Sequence, residues 1–104
     1  MSDLPNGIFK RWIHSFEEDS EDVAVYRPPD FDFPLARGRK GLELKKDSEF
    51  IEYTIGRTDA PHGNPGRWQP EGANRVRVTF TDERISPRTL EILYCDGKIL
   101  KLRK

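Results

Sequence analysis

Apolar and polar residues alternate along much of this chain, in short runs broken by turn-forming residues. The clearest case is 75–81, where Val76, Val78 and Phe80 fall on one side and Arg75, Arg77 and Thr79 on the other. A period of two belongs to a strand with one wet face. The same alternation joins Leu42 to Leu44 within 40–45, and Leu100 to Leu102 within 98–102. Residues 8–14 open the series, with Ile8, Lys10, Trp12 and His14 on one face. Segments 23–26, 50–55, 67–69 and 89–95 read as further strands. Turn chemistry separates these runs, most plainly at Asp96-Gly97, a dipeptide suited to a tight two-residue hairpin. The acidic run 17–22 reads as a solvated loop, and the proline- and glycine-rich segments 27–38 and 56–66 as long loops. Eight glycines and eight prolines leave few windows long enough for a helix, and none shows helical spacing.

These elements predict an all-β fold: one domain over residues 1–104, a small antiparallel up-and-down β-barrel of about eight short strands, each beside its sequence neighbour. Closure would remove the sheet edges that a flat arrangement leaves exposed. An open or half-open barrel that dimerises is the alternative. One shared core is expected from Trp12, Leu42, Leu44, Trp68, Val76, Val78, Phe80, Leu100 and Leu102.

Composition agrees with a sheet wet on one side. Hydrophobic residues are 35% of the chain, yet two Trp, three Tyr and six Phe bury much area each. Eighteen basic residues balance eighteen acidic ones, which argues against disorder and gives no basic excess for nucleic acid. The balance is uneven along the chain. Residues 1–36 hold eight acids and three bases, the rest ten acids and fifteen bases, so the two parts are expected to neutralise each other within one fold. A single cysteine, Cys95, excludes an intrachain disulfide. No basic start leads into an apolar run, and nothing approaches the roughly 18 apolar residues of a membrane span, so the expectation is a cytoplasmic protein with no membrane partner.

Candidate chemistry concentrates in 26–39, the densest mixture of aromatic, proline and guanidinium groups. Arg37 and Arg39, at i and i+2, share a face in extended chain and could clamp a carboxylate or phosphate. The other reading pairs them with Glu17, Glu18 or Asp32 to hold the loop down; Tyr26 and Arg27 invite the same two readings. His14 shares a face with Trp12 and would act as a base only beside a carboxylate such as Glu17 or Glu18. His62, His14 and Cys95 lie too far apart in sequence for a metal signature, so neither a metal nor any other cofactor is expected.

Gly7-Ile8-Phe9-Lys10-Arg11-Trp12 resembles the opening Gly…Trp of lipocalin-like (calycin-type) barrels, whose tryptophan plugs the barrel floor. Gly66-Arg67-Trp68 fits their Gly-x-Trp spacing in mid-chain. The wider pattern Trp12…Ser15…Glu17-Glu18…Tyr26-Arg27-Pro28…Phe33-Pro34…Arg37-Gly38-Arg39 looks like a group of small bacterial proteins. The resemblance implies a lipocalin-like fold and brings no activity with it. The resulting expectation is a barrel that binds a small, anionic molecule at one mouth through Trp12, His14, Tyr26, Arg27, Phe33, Arg37, Arg39 and Trp68. Two alternatives from other classes stand beside it: an interaction module or homodimer without a ligand, and a small enzyme working at the barrel mouth.

Overall fold

The computed structural model describes residues 4, 6–35, 38–55, 61–72 and 74–104, with backbone alone at 6, 55, 61 and 62. Eight strands follow a short 3-10 turn, Asn6–Ile8: β1 (Arg11–His14), β2 (Val23–Arg27), β3 (Gly41–Leu44), β4 (Glu49–Ile55), β5 (Pro61–Pro70), β6 (Arg75–Phe80), β7 (Arg88–Cys95) and β8 (Leu100–Arg103). A second 3-10 turn, Phe16–Glu18, lies between β1 and β2. The strands close into an antiparallel barrel in the order β1-β2-β8-β7-β6-β5-β4-β3.

One connection departs from a simple meander. β3 pairs with β1 and not with β2, which pairs instead with β1 and β8. Residues 28–35 and 38–40 therefore belong to a strap that passes β1 to reach β3. Ile13 lies opposite both Arg27 and Gly41, so the strap leaves and rejoins the sheet at one level. Sequence adjacency alone does not reveal this. The prolines that mark a long loop suit a strap equally well.

β1 is shorter than alternation suggests. The chain turns beneath the barrel at Ile8, whose carbonyl accepts a hydrogen bond from Trp12 Nε1 at 3.0 Å. β5 is longer, because its pairing with β4 extends back to Pro61 opposite Ile55. Pro65 fits because its carbonyl accepts from the Thr81 amide, which sets its ring nitrogen on the side away from β4, where no ladder donor is required. The Asp96-Gly97 hairpin forms, but with residues 96–99 between Cys95 and Leu100. Asp96 Oδ1 accepts from the Lys98 and Ile99 amides at 2.9 and 3.0 Å, and Gly97 supplies a φ of 88°.

The core follows the alternation. Trp12, Leu42, Leu44, Trp68, Val76, Val78, Leu100 and Leu102 are buried in one cluster with Ile8, Phe50 and Ile92, and Phe80 packs against it. Each fully buried large apolar side chain contributes about 1.5–3 kcal/mol. Both tryptophans sit toward the end where the chain enters. Trp12 is fully buried, Trp68 Nε1 donates to the Lys45 carbonyl at 2.8 Å, and Phe9 packs on Trp68 at 5.6 Å between ring centroids. Lys10 Nζ bonds the Gly97 carbonyl at 2.8 Å, and a Cβ on Gly7 would lie 2.8 Å from Gly97 Cα. Two backbones thus meet without side chains between them. The described side chains of Ile8, Trp12 and Trp68 seal the barrel interior at this end, and an open groove of about 590 Å³ is bordered by Lys10, Arg27, Phe31, Gly97 and Lys98.

Candidate functional site

The opposite end is built from the other termini of the same strands. Tyr26 of β2 lies opposite Leu100, so it points inward with the leucine. On β4 the inward set follows from Phe50 facing Leu44 and Glu52 facing Leu42. On β7, Arg88 lies opposite inward-facing Val78. A cavity of about 190 Å³ opens among these residues, with Leu42, Phe50, Val78 and Leu90 among its apolar walls and Lys40, Tyr26, Glu52 and Arg88 among its polar ones. The burial gradient orients it. Leu42, Phe50 and Val78 are buried, whereas Lys40 is exposed and Arg88 half-exposed, so the charges lie toward the rim.

Glu52 and Arg88 reach each other across the mouth from β4 and β7, two strands that are not neighbours in the barrel. Both carboxylate oxygens accept from the guanidinium, Oε1 from Nη2 at 3.0 Å and Oε2 from Nη1. The Arg88 guanidinium also lies 5.4 Å from the Phe80 ring centroid. Such end-on pairing fixes geometry as well as charge. No described residue hydrogen-bonds the Tyr26 hydroxyl, whose ring stacks on His14 at 5.0 Å. Burial raises the Tyr26 pKa above the ordinary phenol value. The negative charges of Asp19 and Glu52 add to this, and Arg88 opposes them. The hydroxyl is therefore a neutral donor facing a polar rim.

His14 finds its carboxylate in Asp19, where alternation and spacing point to Glu17 or Glu18. His14 Nε2 and Asp19 Oδ2 are 2.9 Å apart, Asp19 Oδ1 accepts from the Val25 amide at 2.8 Å, and Lys104 Nζ stands 3.6 Å from Asp19. Asp19 thereby ties the turn after β1 to β2 and to the end of β8.

The remaining residues singled out from the sequence fall elsewhere. Arg27 is paired with Glu18, Nε to Oε1 at 3.0 Å and Nη2 to Oε2 at 2.7 Å, and its guanidinium lies over Phe31. Arg39 is paired with Glu17 at 2.7 and 2.6 Å and donates to the carbonyls of Pro34 and His14. Its guanidinium lies 4.6 Å from the ring centroid of Phe16 and 4.8 Å from that of Phe33. These contacts fasten the strap. Both arginine–glutamate pairs hold the carboxyls of Glu17 and Glu18 below their ordinary range, chiefly through the guanidinium hydrogen bonds. Arg37 lies outside the described residues. Trp12 and Trp68 belong to the sealed end, Phe33 to the strap, and among the described members of the set only Tyr26 lines the cavity.

Glu52, Arg88 and Asp19 are the polar groups that sequence reasoning missed at this end. For Glu52 a signal exists: pairing 50–55 with 40–45 places a carboxylate opposite Leu42, on the core face. No protein-family profile, curated protein or solved structure matches this chain.

Proposed function

We propose that this protein is a lipocalin-like binding barrel that takes one small amphipathic molecule with an anionic group at the mouth above Leu42, Phe50 and Val78. The carrying observation is the cavity itself: apolar inside, with a hydrogen-bonding hydroxyl at Tyr26 left unengaged by described residues. Small-molecule sites usually combine apolar walls with a few convergent polar groups. Among the described lining residues Lys40 and Arg88 outnumber Glu52, which favours an anion. The volume lies below the roughly 300–1,000 Å³ of sites that enclose drug-sized molecules, so the ligand is small. Its single cysteine suits a cytoplasmic setting.

The test is a thermal-shift series with benzoate and 4-methylpentanoate against their uncharged alcohols. A carboxylate at ten times its Kd adds about 1.4 kcal/mol of stability, and the melting temperature rises accordingly. Tyr26→Phe and Arg88→Met should remove most of that rise, measured for each variant against its own unliganded melting temperature. A series in which no carboxylate acts, or in which both variants respond like the parent, contradicts this reading. The homodimer reading has one observation in its favour, the fully exposed Leu35 on the strap. Sedimentation equilibrium of the parent and Leu35→Ser decides it.

A further inference from the structure

The mouth contains more than an anion receptor. Glu52 faces the interior with a side chain only 17% exposed, and both its oxygens are committed to Arg88. A ligand carboxylate that engages Arg88 must come up beside the Glu52 carboxylate. Two carboxylates sharing one guanidinium repel each other, and Asp19 adds negative charge on the Tyr26 side. A plain anion is therefore held more weakly than the Arg88 guanidinium alone would hold it. A ligand with a cation next to its carboxylate meets no such opposition, because its charges then alternate with those of the protein. The charges then form a closed ring beside the intact ion pair: Glu52 carboxylate, ligand ammonium, ligand carboxylate, Arg88 guanidinium and back to Glu52.

Resting on the reading of the mouth as a small-ligand site, the geometry points to an amphipathic zwitterion of the α-amino-acid type as its ligand class, with the ammonium on Glu52, the carboxylate on Arg88 and an apolar side chain against Leu42, Phe50, Val78 and Leu90. The Tyr26 hydroxyl donates a hydrogen bond to the ligand carboxylate. The charge gradient matches this pose, since the deeper walls are apolar and the charged groups lie at the rim. The size matches as well: about 190 Å³ admits a branched aliphatic side chain and little more.

The test uses three probes that differ only in their charged groups: L-leucine, 4-methylpentanoate, which lacks the amine, and 3-methylbutylamine, which lacks the carboxylate. Binding is read by calorimetry and by amide shifts of the 15N-labelled protein. Leucine is expected to bind about tenfold or more tighter than either half. Glu52→Gln should reduce leucine to the affinity of 4-methylpentanoate, and Arg88→Met should reduce it to that of 3-methylbutylamine. The two variants act on separate strands, so one serves if the other fails to fold. If 4-methylpentanoate matches or exceeds leucine, or if Glu52→Gln leaves their ratio unchanged, the zwitterion assignment is overturned while the small-anion site stands. If none of the three probes shifts the mouth amides, both fail together.

Discussion

The two ends of this barrel are made from the same eight strands and have opposite character. At the sealed end the indole nitrogens of Trp12 and Trp68 are each bonded to a backbone carbonyl, and Gly7 meets Gly97 backbone to backbone. At the open end Tyr26, Glu52 and Arg88 face inward, and a cavity remains between them. Apolar groups that fill their space stabilise a fold, whereas inward polar groups around a void contribute little to stability and much to recognition. The division of labour between the ends follows from where each strand places its apolar and polar inward residues.

The largest test of that division is Trp12→Ala, which should cost about 3–5 kcal/mol, a large part of the stability of a domain this size. The fully buried indole is lost together with its bond to the Ile8 carbonyl. A denaturant midpoint close to that of the parent would show that the sealed end does not hold the fold. Arg39→Ala comes next, at about 1–2 kcal/mol, because the guanidinium bonds Glu17 and two carbonyls and lies over two aromatic rings. Arg39→Lys should recover little, since an ammonium reproduces neither the fork nor the flat stack. At the mouth, Arg88→Met should cost about 1–2 kcal/mol, since Arg88 is half-exposed but Glu52, 17% exposed, loses its partner. A loss as large as that of Trp12→Ala would erase the contrast between the ends.

The smallest expected effect is the response of the strap to acid. Glu17 and Glu18 have folded pKa values below their unfolded ones, through their bonds to Arg39 and Arg27. Such carboxylates contribute stability that is complete above the unfolded pKa and is lost as pH falls through the folded one. The melting temperature should therefore be level near neutrality and decline below about pH 5. Replacing both by glutamine should flatten the decline, and an unchanged slope would place the acid sensitivity elsewhere.

Much of the fold is legible in the residues themselves. The Arg75–Phe80 alternation, the paired leucines and Asp96-Gly97 locate strands and a hairpin, because a strand exposes its period and a glycine in the left-handed region is hard to replace. The crossing of the strap over β1 is not legible, since it depends on which edges meet when the barrel closes. Nor is the full length of β5: Pro61 and Pro65 read as loop residues until the free side of their backbone nitrogens is known. At the site, Tyr26 emerges from sequence because it stands out among its neighbours. The pairing of Glu52 with Arg88 does not, because the two lie 36 residues apart and meet only when the barrel closes. Of the two arginines that look like a clamp, Arg39 is taken up by Glu17, and Arg27 is likewise paired with Glu18, pairings that local charge density allows.

The central claim, that one end is sealed and the other receives a ligand, is tested most directly by mapping amide shifts of the 15N-labelled protein during titration with L-leucine and 4-methylpentanoate. Saturable shifts are expected at Tyr26, Leu42, Glu52, Val78, Phe80 and Arg88, with Ile8, Trp12, Trp68 and Gly97 unmoved, including both indole signals. Shifts centred on Trp12, Trp68 and the 96–99 turn would contradict it, because they would place the opening at the end described here as closed.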